Sequence, residues 1–233
     1  MSLLTCPPCE ALGCIEYRDA LERMQAYVRQ PRAARPERLW ACTHPPVFTQ
    51  GLGGKPEHVL APGEIPVVAS DRGGQVTYHG PGQAVLYTLI DVGGRRLGVR
   101  RFVRVLESAV IALLAEHGVR GARIEGAPGV YVDGAKVAAL GLRLKNGMTY
   151  HGLSLNVDMD LEPFARINPC GMAGLEVTQL RDLGVRMSVE EASERLGRAF
   201  AVELEAATRM ALDAAGAALP ALEQSDQAAA TQI

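Results

Sequence analysis

Apolar positions recur three or four apart at Tyr17, Leu21, Met24 and Val28, the period of a helix with one buried face. Pro31 closes the pattern, so a helix is expected from Tyr17 to Gln30. A polar connection from Pro31 to Arg38 leads to Leu39-Trp-Ala-Cys-Thr43, which reads as a short buried strand. His44-Pro-Pro-Val-Phe-Thr-Gln-Gly51 then runs into a glycine-rich loop through Gly54. Ile65 to Ser70 and Ala84 to Val92 are β-prone and read as strands. Between them lies Asp71-Arg-Gly-Gly-Gln-Val-Thr-Tyr-His-Gly-Pro-Gly-Gln83. A second helix, Val99 to His117, is apolar on Phe102, Leu106, Val110, Leu113 and Leu114.

After Gly121 the pattern turns to strands. Gly129 to Gly134 is strand and turn, Lys136 to Leu144 alternates, and Met148 to Asp158 returns after the hairpin signal Lys145-Asn-Gly147. Pro163 to Arg166 is a turn or short helix, Asn168 to Gly171 a loop, and Thr178 to Leu183 a helical turn. Ser188 with Glu191 forms a capping box for a helix to about Glu205. The alanine-rich remainder, with Pro220 and a polar end, is expected to form one more helix and a disordered tail. The fold class is therefore α+β, with a mixed, mainly antiparallel sheet and packed helices, because strict strand–helix alternation is absent. The expected organisation is a flexible arm over 1–14, one domain over 15–207, and an extension over 208–233.

The chain has 233 residues, 48% of them apolar and 21% charged, enough for one well-packed core. A net charge of -2 with 5% aromatic residues gives no support to a nucleic-acid partner. No apolar run reaches the length of a membrane span, and no targeting segment is expected at the N-terminus. The expectation is a cytoplasmic protein with reduced cysteines. Cys6-Pro-Pro-Cys9 has the spacing of a redox or zinc pair. It stands in a proline-broken end with only Cys14 near it in sequence, so a frayed arm is the expected reading and no metal site is assigned. Arg95, Arg96, Arg100, Arg101 and Arg104 meet no acid before Glu107. They form either a solvated face or a docking site for an acidic partner.

The candidate chemistry starts from Cys170. It lies between Pro169 and Gly171, outside any helix or strand period, whereas core cysteines usually fall on an apolar face. A nucleophilic thiol needs exposure and a partner that favours the thiolate. Lys136, one of three lysines, opens an apolar strand. In a partly dry site a lysine loses its preference for the charged form and can take the thiol proton. His79 and His151 are alternative bases. The Gly73-Gly74 pair lets the backbone approach a ligand closely.

Five stretches together carry a resemblance. Arg72-Gly-Gly-Gln-Val-Thr-Tyr-His-Gly-Pro-Gly-Gln83 is similar to the signature of the lipoyl(octanoyl)-[carrier protein] transferases. So are His44 to Gly51, Gly134-Ala-Lys-Val-Ala-Ala-Leu-Gly141, His151-Gly-Leu-Ser-Leu-Asn-Val157 and Asn168-Pro-Cys-Gly171. They occur in the family's order across about residues 15 to 200. The resemblance implies a biotin/lipoate ligase-like fold and transfer of an octanoyl or lipoyl group from acyl carrier protein, an acidic donor, to a lysine of a lipoyl-accepting domain. Implied acceptors are the lipoyl domains of 2-oxoacid dehydrogenases and the glycine cleavage H protein; no cofactor is implied. It implies Cys170 as the acyl-carrying nucleophile and Lys136 as the residue that activates it. Substrate would be lined by Arg72, Gly73, Gly74, Gln75, Val76, Thr77, Tyr78 and His79, by Ala139, Leu140 and Gly141, and by Gly152, Leu153 and Ser154. Two other readings stand beside it. One is an ATP-dependent lipoate or biotin ligase on the same fold, and the other a non-catalytic thiol or metal module built on Cys6, Cys9 and Cys14.

Overall fold

The computed structural model describes residues 6–229, with side chains described to residue 215. The chain begins with strand β1 (Cys9–Cys14), helix α1 (Tyr17–Arg29) and strand β2 (Arg38–Thr43). Strands β3 (Val47–Gln50), β4 (Val67–Ala69), β5 (Val76–His79) and β6 (Gln83–Leu89) follow, then helix α2 (Val99–Glu116). Strands β7 (Ala122–Ile124), β8 (Ala127–Val132), β9 (Ala135–Lys145) and β10 (Met148–Asn156) precede three short 3-10 turns and helix α3 (Val189–Ala229).

Seven strands form one sheet in the order β1-β2-β6-β10-β9-β8-β7, and three form a second in the order β4-β3-β5. Only β1 with β2 and β3 with β4 pair in parallel; the other pairs are antiparallel. The sheet is thus mixed and mainly antiparallel, as the strand-after-strand pattern implies. Side chains alternate across it. Leu39, Ala41, Ala84, Leu86, Leu153 and Leu155 pack on the side of α2 and α3, where Phe102 meets Phe200 edge to face. Trp40, Cys42, Val85, Tyr87 and Leu89 pack with Ala20, Met24 and Val28 of α1. Every residue of β6 and β10 is therefore buried, polar ones such as Gln83, His151 and Asn156 included, because both faces of these central strands are covered. The smaller sheet closes over a third cluster, Phe48, Val76, Tyr78, Phe164 and Ile167. The β9–β10 hairpin turns at Asn146 and Gly147, with φ of 52° and 80°, the left-handed pair that a two-residue hairpin requires.

Four expectations are corrected. Cys9–Cys14 is not a frayed arm but an edge strand whose backbone pairs with β2 from Cys9↔Leu39 to Cys14↔Thr43. Its residues are mostly exposed, so no apolar periodicity marked it. Val47–Gln50 forms a strand where a loop was expected, held by β4 and β5 on either side. The glycine-rich signature contains strand β5 in its middle. The last helix does not stop near Glu205: α3 runs on, and Thr208 and Ala211 are buried. Thr208 Oγ1 accepts from Arg95 Nη1 at 3.1 Å, so a domain boundary at residue 207 falls inside the core. The expected polar end beyond residue 229 and the first five residues lie outside the described residues.

Candidate active site

A cleft of about 390 Å³ opens where β5, β6, β9, β10 and the first turns of α2 meet the loop that carries Cys170. Cys170 occupies the turn Pro169–Gly171 with φ 56° and ψ 18°, a left-handed conformation that non-glycine residues hold only when their surroundings fix it. Here the fixing bonds are local. Gly171 N donates to Asn168 O at 2.9 Å, Met172 N to Pro169 O at 3.0 Å, and Asn168 N to His58 O at 2.8 Å. Gly171 is itself left-handed at φ 70°. A Cβ there would stand 2.5 Å from the Gln75 side-chain amide, so only glycine lets Gln75 lie against the turn.

Lys136 is the second residue of β9 and is 3% exposed. Its Nζ donates to Cys170 Sγ at 2.9 Å and to Pro128 O at 3.2 Å, and it lies 5.1 Å from the centre of the Tyr131 ring. The backbone at the same position holds the thiol loop in place. Lys136 N donates to Glu176 O at 2.8 Å, and Thr178 N donates to Lys136 O at 2.9 Å. The chain after Cys170 therefore returns as a parallel bridge beside the amine. Gly129 faces this amine as well. A Cβ on Gly129 would meet Ala138 O at 2.8 Å and Lys136 Cε at 3.1 Å. Burial pulls the Lys136 ammonium toward neutrality, but the charge and hydrogen bond of the Cys170 sulfur outweigh it, and the net direction is up. With the sulfur within hydrogen-bond reach, the two groups titrate as a coupled pair, so dryness does not act on the lysine alone.

A second cation faces the cleft. Arg72 is buried, with Nη2 donating to Thr49 O at 2.6 Å and to Thr49 Oγ1 at 2.8 Å, and Nη1 to Gly73 O at 3.1 Å. Among the described ion pairs none involves Arg72. Burial lowers its guanidinium, against the pull of Tyr17 and then of Cys170. Its side chain packs under Gly141, whose Cβ would stand 3.0 Å from Arg72 Cδ.

The histidines are held in fixed roles. His79 Nδ1 donates to Gln83 Oε1 at 2.7 Å, while Gln83 Nε2 donates to Asn156 Oδ1 at 2.9 Å, so the Gln83 oxygen is the end that faces His79. This leaves His79 Nε2 as an acceptor, and burial, followed by the nearby His44, pushes the ring down to about 3. His151 Nε2 donates to Asp71 Oδ1 at 2.8 Å, and its buried Nδ1 has no partner among the described residues. A charged imidazolium would need a second acceptor there, and burial lowers its titration despite Asp71, so this contact is a hydrogen bond from a neutral ring. Burial alone would raise the Asp71 carboxyl. Hydrogen bonds from His151, Tyr150 (2.6 Å) and Gln25 (3.0 Å) reverse that and hold it well below the usual carboxylate range. Neither His79 nor His151 has a described hydrogen bond to Cys170; the amine of Lys136 does.

Of the sequence-predicted lining residues, Arg72, Gly73, Gly74, Gln75, Val76, Thr77 and His79 border the cleft. Ala139, Leu140, Gly141, Gly152, Leu153 and Ser154 do so too. Tyr78 does not. Alternation along β5 turns it to the other side, where its ring packs 5.5 Å from those of Phe48 and Phe164. Sequence reasoning missed Tyr17, Tyr87, Val99, Val103, Pro128 and Met172, which also border the cleft. Tyr17 belonged to an apolar helical period, which hid the hydrogen bond between its hydroxyl and Ser70 Oγ at 2.7 Å. Asp71 directly precedes the signature arginine, and that adjacency was the one available signal for the network around His151.

Residues 16–201 match the model of the lipoyl protein ligase A/B catalytic domain. The chain belongs to that family. Within it, the chain is 57% identical over 185 residues to an octanoyltransferase of Chromobacterium violaceum, which covers 79% of this chain and 89% of the relative. It is 50% identical over 199 residues to an octanoyltransferase of Dechloromonas aromatica, 85% of this chain and 97% of the relative. Solved structures share the fold. A lipoate-protein ligase A bound with ATP superposes with a TM-score of 0.71 at 16% identity, over 90% of this chain and 95% of that one. A biotin protein ligase from Aquifex aeolicus does so with 0.52 at 12% identity, over 88% and 72%. The ligase-like fold expected from the five stretches is therefore present. The lipoyl protein ligase A/B catalytic domain match starts just before α1, so β1 with Cys6, Cys9 and Cys14 falls outside it. Among the described residues no three His, Cys, Asp or Glu side chains group as metal ligands, and no helix is long and apolar enough to cross a membrane.

Proposed function

We propose that this protein is an octanoyltransferase that carries the acyl group on Cys170 and hands it to a lysine of a lipoyl domain. The observation that supports this most is the 2.9 Å contact between Lys136 Nζ and Cys170 Sγ at the cleft. Relatives of 50–57% identity with that activity in their names add to it. The donor is octanoyl-acyl carrier protein. With the proton of the pair held on Lys136, the sulfur of Cys170 attacks the thioester carbonyl. The tetrahedral oxyanion is held by backbone N–H groups at Leu140 or at Cys170 itself, since Gly171 N and Met172 N are already committed to Asn168 O and Pro169 O and Gly141 is paired with Gly152 in the sheet. Arg72 adds positive charge without a competing carboxylate. The carrier thiolate leaves and receives the proton from Lys136, so one thioester replaces another and no nucleotide is consumed.

In the second half-reaction the neutral acceptor amine attacks the Cys170 thioester. An amide forms, the C–S bond breaks, and Lys136 mediates transfer of the amine proton to the departing sulfur. The octanoyl chain lies along Val85, Leu140, Leu153 and Val103, where each buried methylene contributes ~0.8 kcal/mol. The acceptor class is the lipoyl domain. The test is transfer from octanoyl-carrier protein to a purified lipoyl domain with ATP omitted. Stoichiometric octanoylation of one domain lysine is expected. Transfer that requires ATP and free octanoate would instead establish the ligase reading.

A further inference from the structure

The rim of the cleft carries more charge than the chemistry uses. Helix α2 begins at Val99, and both Val99 and Val103 border the cleft. An α-helix advances about 100° per residue. Val99 and Val103 therefore form one stripe facing the cleft, and Phe102, Leu106 and Val110 form the buried stripe on one side of it. On the other side, about 100° round, Arg100 and Arg104 form a second stripe one turn apart. Arg101 lies about 200° from Val99 and faces away from the cleft. All three arginines are exposed.

Three further observations bear on this stripe. Among the described residues, Arg100 and Arg104 make no ion pair, in common with Arg101, while Arg23, Arg32, Arg166, Arg181, Arg195 and Arg209 each have a carboxylate partner. The acids nearest in sequence are committed elsewhere: Asp91 to Arg32 and to Gly94 N, and the buried Glu107 to Arg123 and Gly129 N. Arginine in a first turn also opposes the helix dipole, so helix stability does not account for it. The cleft mouth beside these cations is flanked by two exposed apolar side chains, Val99 at 44% and Met172 at 45%. Unpaired cations beside an exposed apolar rim are what an acidic macromolecular donor would cover on binding.

We infer that Arg100 and Arg104 of α2, with Val99 and Met172, form the surface on which the acidic acyl carrier protein docks to deliver its thioester to Cys170, and that Arg101 takes no part. This deepens the acyl-transfer reading and rests on it. The stripe predicts a contrast between adjacent arginines that net charge alone does not. Glutamate at position 100 or 101 suits a helix N-terminus, and position 104 is exposed, so the charge reversals keep the fold.

The test measures acylation of the full chain by two donors, octanoyl-carrier protein and uncharged octanoyl-pantetheine, for wild type, R100E, R104E and R101E. The expected result is a rise in KM for the carrier donor of roughly tenfold for R100E and for R104E, with kcat little changed. R101E should shift it by less than about threefold, and octanoyl-pantetheine should react equally with all four proteins. Raising the salt concentration should slow the wild type with the carrier donor more than it slows R100E. Equal slowing with both donors, or an R101E effect as large as that of R100E, overturns the docking surface and leaves acyl transfer standing. A wild type acylated by neither donor overturns the acyl-transfer reading itself.

Discussion

Replacing Lys136 by methionine separates chemistry from stability at the site. The ammonium has two hydrogen bonds, to Cys170 Sγ at 2.9 Å and Pro128 O at 3.2 Å, and hydrogen bonds to charged groups contribute about 1.5–3 kcal/mol each. Against them stands the cost of burying a charge at 3% exposure, several kcal/mol in ordinary cases. Methionine is similar in length and packs on Tyr131. The net change in stability should therefore fall within about 1 kcal/mol, a Tm shift of roughly 2–4 °C for a domain of this size. Catalysis should fall much further. Proton transfer by a positioned group contributes about 10²–10⁴-fold, so Cys170 acylation should slow by about 10³-fold, some 4 kcal/mol of barrier.

The assay is quenched-flow mass spectrometry of the acyl-enzyme, with iodoacetamide alkylation of Cys170 at pH 7 as a substrate-free check; alkylation should slow as well. Lys136 titrates above its ordinary 10.5 in the folded protein. The stability it contributes is therefore present below pH 10.5 and lost as pH rises through the raised value. The stability difference between wild type and variant should be constant from pH 6 to 9 and change only above about pH 10.5. Acylation of the variant within about tenfold of wild type would refute the argument, because the amine would then not handle the proton.

Gly171→Ala puts a Cβ 2.5 Å from the Gln75 amide at a φ of 70°. It should cost about 1–3 kcal/mol of stability and displace the thiol, lowering acylation at least about tenfold. Thermal melts and the same quenched assay check both parts. Asp71→Asn keeps the shape of the side chain but weakens the bonds from His151, Tyr150 and Gln25, costing about 1–3 kcal/mol at neutral pH. The Asp71 carboxyl is held below its ordinary 3.8, so its contribution is present above pH 3.8 and lost as pH falls through the depressed value. Urea melts below pH 4 should therefore narrow the gap between wild type and Asp71→Asn, whereas a gap that widens on acidification would contradict the assignment.

What could be read from the residues follows from which forces are local. Helices α1 and α2 and the β9–β10 hairpin have strong periods or turn signals, and the structure places them within a residue or two of the expected bounds. Strand β1 was hidden because an edge strand with a mostly exposed pattern draws its order from backbone pairing with β2, which no local sequence signal encodes. The continuation of α3 past Glu205 was missed because Thr208 is a weak helix former whose burial depends on Arg95, far away in sequence. At the site, Cys170 stood out by breaking every period. Its distance to Lys136 depended on a parallel bridge between residues 136 and 177 that only the folded chain supplies. Tyr78 was misplaced because the signature was treated as one continuous lining, whereas a four-residue strand within it sends alternate side chains to opposite sides.

The central claim concerns one thioester. Mixing the protein with octanoyl-carrier protein, without acceptor, and mapping the product by intact mass and peptide sequencing tests it most directly. The account predicts one octanoyl group, on Cys170, that is removed when a lipoyl domain is added and is absent in Cys170→Ser. An adduct on any other residue, or undiminished transfer by Cys170→Ser, would contradict it.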